Sequence, residues 1–523
     1  MENKKTKIIS IVAIVAFLLV VITATYAYFQ AQTGASKSTD INVTTYTTDV
    51  FTFTTGNDIS IYADQSTFAS GKGNQTGSTY ASALLTANNK TNTATEHYYL
   101  YLNIENNTFT YSINESTPEI IMTITDSSGN EVTDISTLTH VIVTGANNTQ
   151  VSGYDITNKN GLITLFNNRE ITTTSSKEEK WNITITFVNY DASQNANAGK
   201  SMSAKVMIQK DKILRTIADV CANGDNLATC ISTLGTQGKS DITKIYHHDA
   251  SLTNGAGDNS YRYAGANESV NNFVCFGSTA SPCPTDNLYR IIGVFGNQVK
   301  LIKYDYATSA LLGTDGDYQG TDTPDSSYYK GRLTTINTYY WNNSTKKNTW
   351  SESELNKTNL NTNFITNIGA DWAAKIDVTT WKVGGNTFAN IAQQPAKTAY
   401  QNEIVSPVTT NTIDGATECS AKIGLMYASD YGFAAAQSAW TANLNTYAGE
   451  AIKNVNWMYM GFYDWTISRN AGNSNYAFRV YDGGYVGSYI VGNNYGVRPS
   501  FSLLSSTTYV SGSGSASDPM VIN

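Results

Sequence analysis

The chain is poor in charged residues and has no basic excess. Charged residues are 15% of its 523 residues, and 42 Asp plus Glu outnumber 34 Lys plus Arg, which gives a formal net charge of −8. A protein that binds nucleic acid needs a basic surface facing the phosphates, so this composition argues against DNA and RNA as partners. Asn, Ser, Thr and 34 Tyr carry the polarity instead, which is typical of half-exposed β-strands.

Histidine and cysteine are scarce. The chain has 4 His and 5 Cys, and the last of each kind are His248 and Cys419. Redox metals in proteins depend on thiolate or imidazole ligands, so the end of the chain offers nothing on which to build such a site. The adjacent His247 and His248 would point to opposite faces of an extended strand, which favours a structural role over zinc binding. We expect no catalytic residue, no metal, no cofactor and no enzymatic activity.

One loop is rich in acidic residues. In the segment GTDGDYQGTDTPDSS these are Asp315, Asp317, Asp322 and Asp325. Oxygen-rich loops can bind Ca²⁺, but this one lacks the alternating ligands and the closing Glu of an EF-hand. A solvated loop is the favoured interpretation.

The N-terminus has the pattern of an export segment, residues 1–30. Three lysines precede the uncharged run IISIVAIVAFLLVVIT, and small residues follow where a signal peptidase would cut. Extended to Phe29, the run is also long enough for a retained membrane anchor, which needs about 20 residues. Both interpretations stay open. Both predict export of the rest of the chain, with the export machinery and signal peptidase as partners, and the membrane as well if the segment is retained.

Cysteine spacing agrees with an extracellular or cell-surface location. Cys221 lies close to Cys230 and Cys275 lies close to Cys283, while Cys419 is left over. Two local disulfides and one odd thiol are the simplest arrangement in an oxidising compartment. Five reduced cysteines are the alternative.

Residues 31–210 alternate apolar and polar side chains as in antiparallel strands. In KWNITITFVNY, the side chains of Trp181, Ile183, Ile185 and Phe187 fall on one face, the period of two of a half-covered sheet. Several such strands separated by polar turns predict a β-sandwich. The fold class that we expect for the chain is therefore mainly β with some α.

In residues 211–245 the spacing of the apolar residues changes from that of a strand to that of a helix. Ile213, Leu214, Ile217 and Val220 recur at helical spacing, and a second helical run ends at Gly235. We interpret 211–245 as a connector of two short helices that a disulfide between Cys221 and Cys230 would link. Residues 246–523 then mix short strands with long loops, and 429–449 could hold a helix, which predicts an α+β domain.

The N-terminal part resembles exported matrix and fibre proteins of Gram-positive bacteria of the TasA and camelysin type. The residues that carry this resemblance are AIVAFLLVVITATYAYF, ending in Tyr26-Ala27-Tyr28-Phe29, followed by Thr-rich strands. It covers roughly the first 210 residues and implies a signal cut by a dedicated peptidase and then a β-sandwich.

The C-terminal half resembles a different family. DNSYRYAGANESVNNFVCFG, NLYRIIGVFGNQVKLIKYDYA, IGLMYASDYGFA, YDWTISR and YGVRPSFSL are similar to a domain of uncharacterised function in surface proteins of gut Firmicutes. That domain is distantly similar to the C-type-lectin-like fold, which also carries ligand-binding regions diversified by retroelements. Those regions end in a Gly-x-Arg-Pro motif, matched by the segment 496–499, and the tail 502–523 departs from the pattern.

The stretch 477–501, AFRVYDGGYVGSYIVGNNYGVRPSF, is the candidate binding surface. Asp482-Gly483-Gly484 predicts a hairpin turn, after which Val486 and Ile490 face the core while Tyr485 and Tyr489 face outward. Asn493-Asn494 turns the chain again into 497–503, so the stretch is predicted to form one continuous meander. Rigid Tyr side chains among adaptable Ser, Gly and Asn are typical of recognition surfaces. We predict the following ligand-binding residues: Arg469, Asn470, Asn473, Ser474, Asn475, Tyr476, Arg479, Tyr481, Asp482, Tyr485, Ser488, Tyr489, Asn493, Asn494 and Tyr495.

Two functions of different class follow from these patterns. In the first, the protein is an adhesin-like surface protein whose domain 246–523 binds an unknown protein or glycan on a host or microbial surface. In the second, it is a structural protein of a biofilm matrix or surface fibre with no specific ligand.

Overall fold

The computed structural model describes residues 49–63, 73–88, 92–325, 327–407, 416–448, 452 and 454–523. The chain divides into two compact units, one ending at Lys212 and the other beginning at Ile213. Both are built mainly from antiparallel strands, with some helix in the second. The predicted export segment 1–30 lies outside the described residues. Within the described ranges, no helix has the length and apolarity needed to cross a membrane.

The first unit is a pair of antiparallel sheets around one core. One sheet has the order β1-β3-β9-β5-β7-β6 and the other has the order β2-β10-β4-β8. Its strands are β1 (Val50–Thr55), β2 (Ile59–Tyr62), β3 (Gln75–Thr86), β4 (Ala94–Asn107), β5 (Ile120–Thr125), β6 (His140–Thr144), β7 (Gln150–Asp155), β8 (Gly161–Thr173), β9 (Ser176–Phe187) and β10 (Ser201–Gln209).

Alternation along the strands explains this packing. Ile183 and Ile185 of β9 are fully buried, whereas Asn182 between Trp181 and Ile183 is exposed. Leu102, from the opposite sheet, is buried in the same core cluster. Because successive side chains of a strand point to opposite faces, each sheet turns one apolar face inward. The predicted sandwich is confirmed for the described part of this unit.

The second unit is built on a larger sheet of the order β11-β12-β14-β15-β25-β20, with β13 paired to β14. Smaller sheets are β16-β17-β24, β18-β19, β21-β22-β23 and β26-β27. The strands are β11 (Ile245–His247), β12 (Tyr261–Tyr263), β13 (Phe273–Cys275), β14 (Leu288–Phe295), β15 (Gln298–Lys303), β16 (Tyr318–Asp322), β17 (Ile336–Tyr340), β18 (Thr379–Lys382), β19 (Glu418–Ala421), β20 (Ile423–Gly424), β21 (Asp464–Arg469), β22 (Tyr476–Val480), β23 (Val486–Ile490), β24 (Asn494–Tyr495), β25 (Ser500–Ser502), β26 (Tyr509–Ser511) and β27 (Val521–Ile522).

The helices are short, and the α- and π-helices of the described residues lie in the second unit. The α-helices are Leu227–Gln237, Ser240–Thr243, Ser309–Leu312, Ile365–Asn367, Ala370–Ala373, Phe388–Ile391, Ala396–Tyr400 and Ala428–Ala434, and the π-helices are Leu355–Phe364 and Gln401–Val405. The 3₁₀ turns are Ala146–Asn148, Asn195–Asn197, Ile217–Asp219, Asn267–Ser269, Thr285–Asn287, Trp350–Glu352, Gln437–Ala439 and Leu444–Thr446. The helix predicted within 429–449 is present at its start, as Ala428–Ala434.

The predicted connector 211–245 is part of the second unit. Its second helix, Leu227–Gln237, is present, but the first is reduced to the 3₁₀ turn Ile217–Asp219. Ile231 and Leu234 are buried in the main core of the second unit, so the segment is not a separate spacer. Helical spacing therefore predicted one of the two runs, and the chain divides after Lys212 instead of at residue 245.

Both predicted cysteine pairs lie at disulfide distance. The Cα atoms of Cys221 and Cys230 are 5.6 Å apart, and those of Cys275 and Cys283 are 5.8 Å apart. Cys419 is free and half-buried. Burial raises the pKa of its thiol, so the reactive thiolate is scarce at neutral pH.

Candidate ligand-binding surface

The candidate surface is formed by the small sheet β21-β22-β23. Strand β22 pairs antiparallel with β23, with Arg479 opposite Gly487. Gly487 has no side chain, and a Cβ built there would lie 2.7 Å from Cε2 of Tyr481. The glycine thus leaves the space over the sheet that the Tyr481 ring occupies.

Arg479 lies beneath a group of tyrosine rings. Its guanidinium carbon is 3.9 Å from the ring centroid of Tyr481, 4.0 Å from that of Tyr495, 4.4 Å from that of Tyr489 and 4.5 Å from that of Tyr463. Each distance is within the range of a cation–π interaction. One buried cation therefore contacts four rings and orders them together.

The Arg479 charge has no acidic partner among the described residues. Its side chain is 4% exposed, and its Nε and Nη1 atoms are buried without a hydrogen-bond acceptor in the described part of the chain. A buried cation without an acceptor is costly unless other groups compensate. The ring faces supply that compensation, which ties the position of the arginine to that of the tyrosines.

Further contacts extend the group outward. Tyr485 stacks on Tyr481 with ring centroids 4.2 Å apart, and Tyr476 lies 6.3 Å from Tyr489. We call these six residues the tyrosine cluster: Tyr463, Tyr476, Tyr481, Tyr485, Tyr489 and Tyr495. Burial raises the pKa of Tyr485 and of Tyr495, so their hydroxyls are protonated at neutral pH.

The outer side of the cluster is accessible. Tyr489 is 37% exposed, and the neighbouring Asn473 and Ser474 are exposed as well. The half-buried residues of the predicted site are Asn475, Tyr476, Tyr481, Asp482, Tyr485, Ser488, Asn493 and Asn494. As expected, Val486 faces the core and Tyr489 faces outward. Ile490 is only half-buried, because β23 ends there and Val491 turns into the core instead.

Two of the predicted ligand-binding residues are interior structural residues, and we correct these assignments. Arg469 is 2% exposed and its Nη2 donates to the carbonyl of Ala416 at 2.6 Å. Asn470 is 7% exposed, and its Oδ1 accepts from the backbone N–H of Gly472 at 2.8 Å. Asn470 closes the turn after β21, and Arg469 links the end of β21 to the segment that precedes β19. Arg479 and Tyr495 are also buried, but both lie against the exposed ring of Tyr489.

The end of the stretch leaves the small sheet. Asn494 pairs with Tyr340 of β17, and its Nδ2 donates to Oγ1 of Thr338 at 2.9 Å. The next strand, β25, belongs to the large sheet beside β15. The continuous meander predicted for 477–501 is therefore wrong, because its last strands pair with distant segments.

Tyr463 is the member of the cluster that sequence reasoning missed. It precedes β21, and its ring centroid lies 5.1 Å from that of Tyr495 and 5.7 Å from that of Tyr481. Because Tyr463 lies next to a strand of buried residues, the sequence around it gives no sign that it belongs to a binding surface. Pairing of β21 with β22 brings it to the site.

The histidine pair has two different environments. His248 is fully buried, its Nδ1 accepts from the N–H of Ala256 at 3.0 Å, and burial lowers its pKa. His247 stacks on Tyr261 with ring centroids 4.3 Å apart. The two rings thus take separate packing roles.

Asp317 does not belong to a solvated loop. It is 2% exposed and accepts hydrogen bonds from the backbone N–H groups of Asn343 and Leu355 at 2.9 and 2.8 Å. Burial raises its pKa. Asp315 and Asp322 are exposed, as expected for a solvated loop. Among the described aspartates of the loop, the prediction of a solvated side chain was wrong for Asp317 alone.

Comparison of the chain with protein-family models, with curated proteins and with solved structures gives no match. The resemblances to the TasA and camelysin type and to the C-type-lectin-like fold rest on the residues quoted for them. The fold and the site define a two-unit, mainly β protein with a tyrosine-rich surface on its second unit.

Proposed function

We propose that this protein is an exported, adhesin-like binding protein. In this proposal the tyrosine cluster contacts a protein or glycan on a host or microbial surface. The observation that carries it is the position of Arg479 beneath four rings, one of which, Tyr489, is substantially exposed.

The arrangement supports recognition because it is ordered before any ligand arrives. Tyr offers a large contact area with few torsions to freeze, and stacking on Arg479 and between Tyr481 and Tyr485 restricts these further. Binding therefore costs less conformational entropy than it would with free side chains. The exposed Asn473 and Ser474 add adaptable polar groups at the edge.

Two features support export. Both cysteine pairs lie at disulfide distance, and disulfides persist in oxidising compartments. The N-terminal run has the pattern of a signal peptide or anchor.

The test is a binding screen of the full-length chain on mucin, host-cell and bacterial-cell surfaces. The double variant Tyr485→Ser and Tyr489→Ser alters the outer cluster and leaves Arg479 and Gly487 in place. A matched control changes Tyr62 and Tyr328 to Ser, since these are 57% and 41% exposed elsewhere in the chain. Thermal melting establishes that each variant is folded.

Capture by the wild type and the control, with at least a tenfold loss in the cluster variant, is the expected result. Equal capture by all three proteins would mean that the tyrosines only pack. Absence of capture on every surface would count against the adhesin function.

A structural role is the second candidate, favoured by the edge strand β6. This strand pairs with β7 alone in the described sheet, and its Ile142 is 67% exposed. An unpaired edge with an exposed apolar side chain is a template for strand addition between molecules. If the chain forms filaments visible by electron microscopy, and Ile142→Lys abolishes them, the fibre function gains the support.

A further inference from the structure

A lysine and an aspartate are paired inside the second unit, outside the tyrosine cluster. Nζ of Lys300, in β15, lies 2.6 Å from Oδ2 of Asp430, in the helix Ala428–Ala434. The two side chains are 9% and 4% exposed. By contrast, the side chains of the pair formed by Lys382 and Glu418 are 33% and 51% exposed. The buried pair is therefore held out of water at hydrogen-bond distance.

Aromatic rings surround the amine of Lys300. Three ring centroids lie 4.7, 5.3 and 5.7 Å from its Nζ, and they belong to Tyr427, Trp381 and Phe295. Burial lowers the pKa of Lys300, in spite of the neighbouring carboxylate. Surroundings of low polarity favour the neutral amine, which is the nucleophilic form of lysine. The environment of Lys300 therefore favours attack of its Nζ on a carbonyl carbon.

The carboxyl group of Asp430 is held at both of its oxygens. Oδ2 accepts from the backbone N–H of Tyr427 at 3.1 Å as well as from Nζ of Lys300. Nη1 of the buried Arg262 lies 3.5 Å from Oδ1. A cation beside Oδ1 stabilises the negative charge that this oxygen takes on when a nucleophile adds to Cγ. The carboxyl carbon is thus fixed in position and polarised for attack.

Replacing the two charges with a neutral group is energetically favoured at this place. A buried ion pair loses the hydration of both charges, and neutral groups in its place are often equally stable or more stable. An amide between Lys300 and Asp430 carries no charge. Contact between the two groups inside one chain also removes the entropic cost of bringing reactants together, which accelerates their reaction.

A cavity beside the pair has room for the water that amide formation releases. Lys300 and Asp430 both line it, and its volume is about 210 Å³. One water molecule takes up roughly 30 Å³ in the liquid. Thr380, also on the lining, is exposed, so the cavity reaches the surface of the unit.

We propose that Lys300 and Asp430 join in an amide bond within the chain. A proton first moves from Nζ to Oδ2, which gives a neutral amine and a carboxylic acid. Nζ then forms a bond to Cγ, the bond between Cγ and Oδ2 breaks, and Oδ2 leaves as water with two protons that came from Nζ. The product keeps one amide N–H and the carbonyl oxygen Oδ1, and no oxidant, reductant or other reactant takes part.

The bond links β15 to the helix Ala428–Ala434 across 130 residues of sequence. A cross-link over a long loop restricts the unfolded chain and so stabilises the folded one. Unlike the two disulfides, an amide is not broken by reductant. This modification is independent of ligand binding by the tyrosine cluster.

Peptide mass mapping of the full-length chain tests the proposal, after reduction and digestion with trypsin under denaturing conditions. Trypsin does not cleave after an acylated lysine, so Lys300 should stay within the peptide 291–303, joined to the peptide 423–453 that contains Asp430. The mass of the joined species should be that of the two peptides less about 18 Da, the mass of one water. Fragmentation in the spectrometer then locates the bond.

Two variants serve as controls. Lys300→Arg keeps a cation beside Asp430 but removes the primary amine, so the joined species should be absent. Lys382→Arg makes the same change in the exposed pair and should leave the joined species in place. Thermal melting establishes that each variant is folded, and the wild-type digest decides the proposal even if Lys300→Arg does not fold.

The proposal requires that more than half of the peptide 423–453 from the wild type is recovered in the joined form. A smaller fraction overturns it, as does a bond at residues other than Lys300 and Asp430. The same joined species in the digest of Lys300→Arg would also overturn it.

Discussion

The carboxylate of Asp464 lies 2.6 Å from Nε of Arg498 inside the second unit, and both side chains are 3% exposed. Nη2 of Arg498 also donates to the carbonyl of Met458 at 2.8 Å. Asp464 begins β21, and Arg498 lies between β24 and β25. The arginine of the Gly-x-Arg-Pro motif is thus an internal link that holds the strand before the tyrosine cluster against the segment after it.

The first prediction concerns pH. Burial raises the pKa of Asp464 to about 6, against the opposing effect of Arg498. The unfolded carboxyl has a pKa of about 3.9, so the folded state binds the proton more tightly, and this group makes the protein less stable as pH rises from about 4 to about 6.

Asp464→Asn removes that titration but keeps an acceptor for Arg498. The free energy of unfolding of the variant minus that of the wild type should therefore increase between pH 4 and pH 6 and level off above. Urea denaturation at four pH values measures it. A difference that does not vary with pH would show that Asp464 does not titrate in this window.

The second prediction concerns the cation under the rings. Arg479→Met keeps much of the apolar bulk but removes the charge that contacts four tyrosines, so we expect a loss of about 1–3 kcal/mol in the free energy of unfolding. Arg332→Met, at an exposed position, should change it by less than about 0.5 kcal/mol. Equal stability of wild type and Arg479→Met would mean that the ring contacts merely offset the cost of burying the charge.

The third prediction tests the space over β23. Gly487→Ala places a Cβ 2.7 Å from Cε2 of Tyr481, so the ring must move, and the free energy of unfolding should fall by about 1–3 kcal/mol. In the matched variant Gly492→Ala, the nearest atom is Cγ2 of Ile490 at 3.9 Å, an ordinary contact. Chemical denaturation of both variants compares them. Similar losses in the two would contradict the packing role of Gly487.

The fourth prediction concerns the thiols. Unfolded in denaturant without reductant, the chain should take up one alkylating group, on Cys419, because the other four cysteines are paired. After reduction it should take up five. Peptide mass mapping identifies the labelled residues. Labelling of Cys221 or Cys283 without reductant would rule out the corresponding bridge in the isolated protein.

Local patterns predicted the parts of the fold that depend on neighbours in sequence. Alternation along β9 gave the buried face at Ile183 and Ile185, and helical spacing gave Leu227–Gln237. The cysteine pairs followed from separations of 9 and 8 residues. These features depend on backbone periodicity and on short loops, which a single sequence displays directly.

Local patterns did not predict which strands pair across long separations in sequence. Residues 477–501 read as one meander, yet β25 pairs with β15, about two hundred residues earlier. Asp317 reads as a loop residue but bonds to Asn343 and Leu355. Nothing local distinguishes these cases, because the partners are supplied by packing of distant segments.

The sequence by itself determined that this protein is mainly β with some α, that cysteine pairs form locally, and that a tyrosine-rich hairpin lies near its end. The tertiary structure alone decided that Arg479 lies under the tyrosine rings, whereas Arg469 and Arg498 are buried in the interior and bond to distant segments. The composition and the periodicity of apolar residues can be seen in the sequence itself. Whether a charged side chain is buried, and what it pairs with, depends on which distant residues the fold brings next to it.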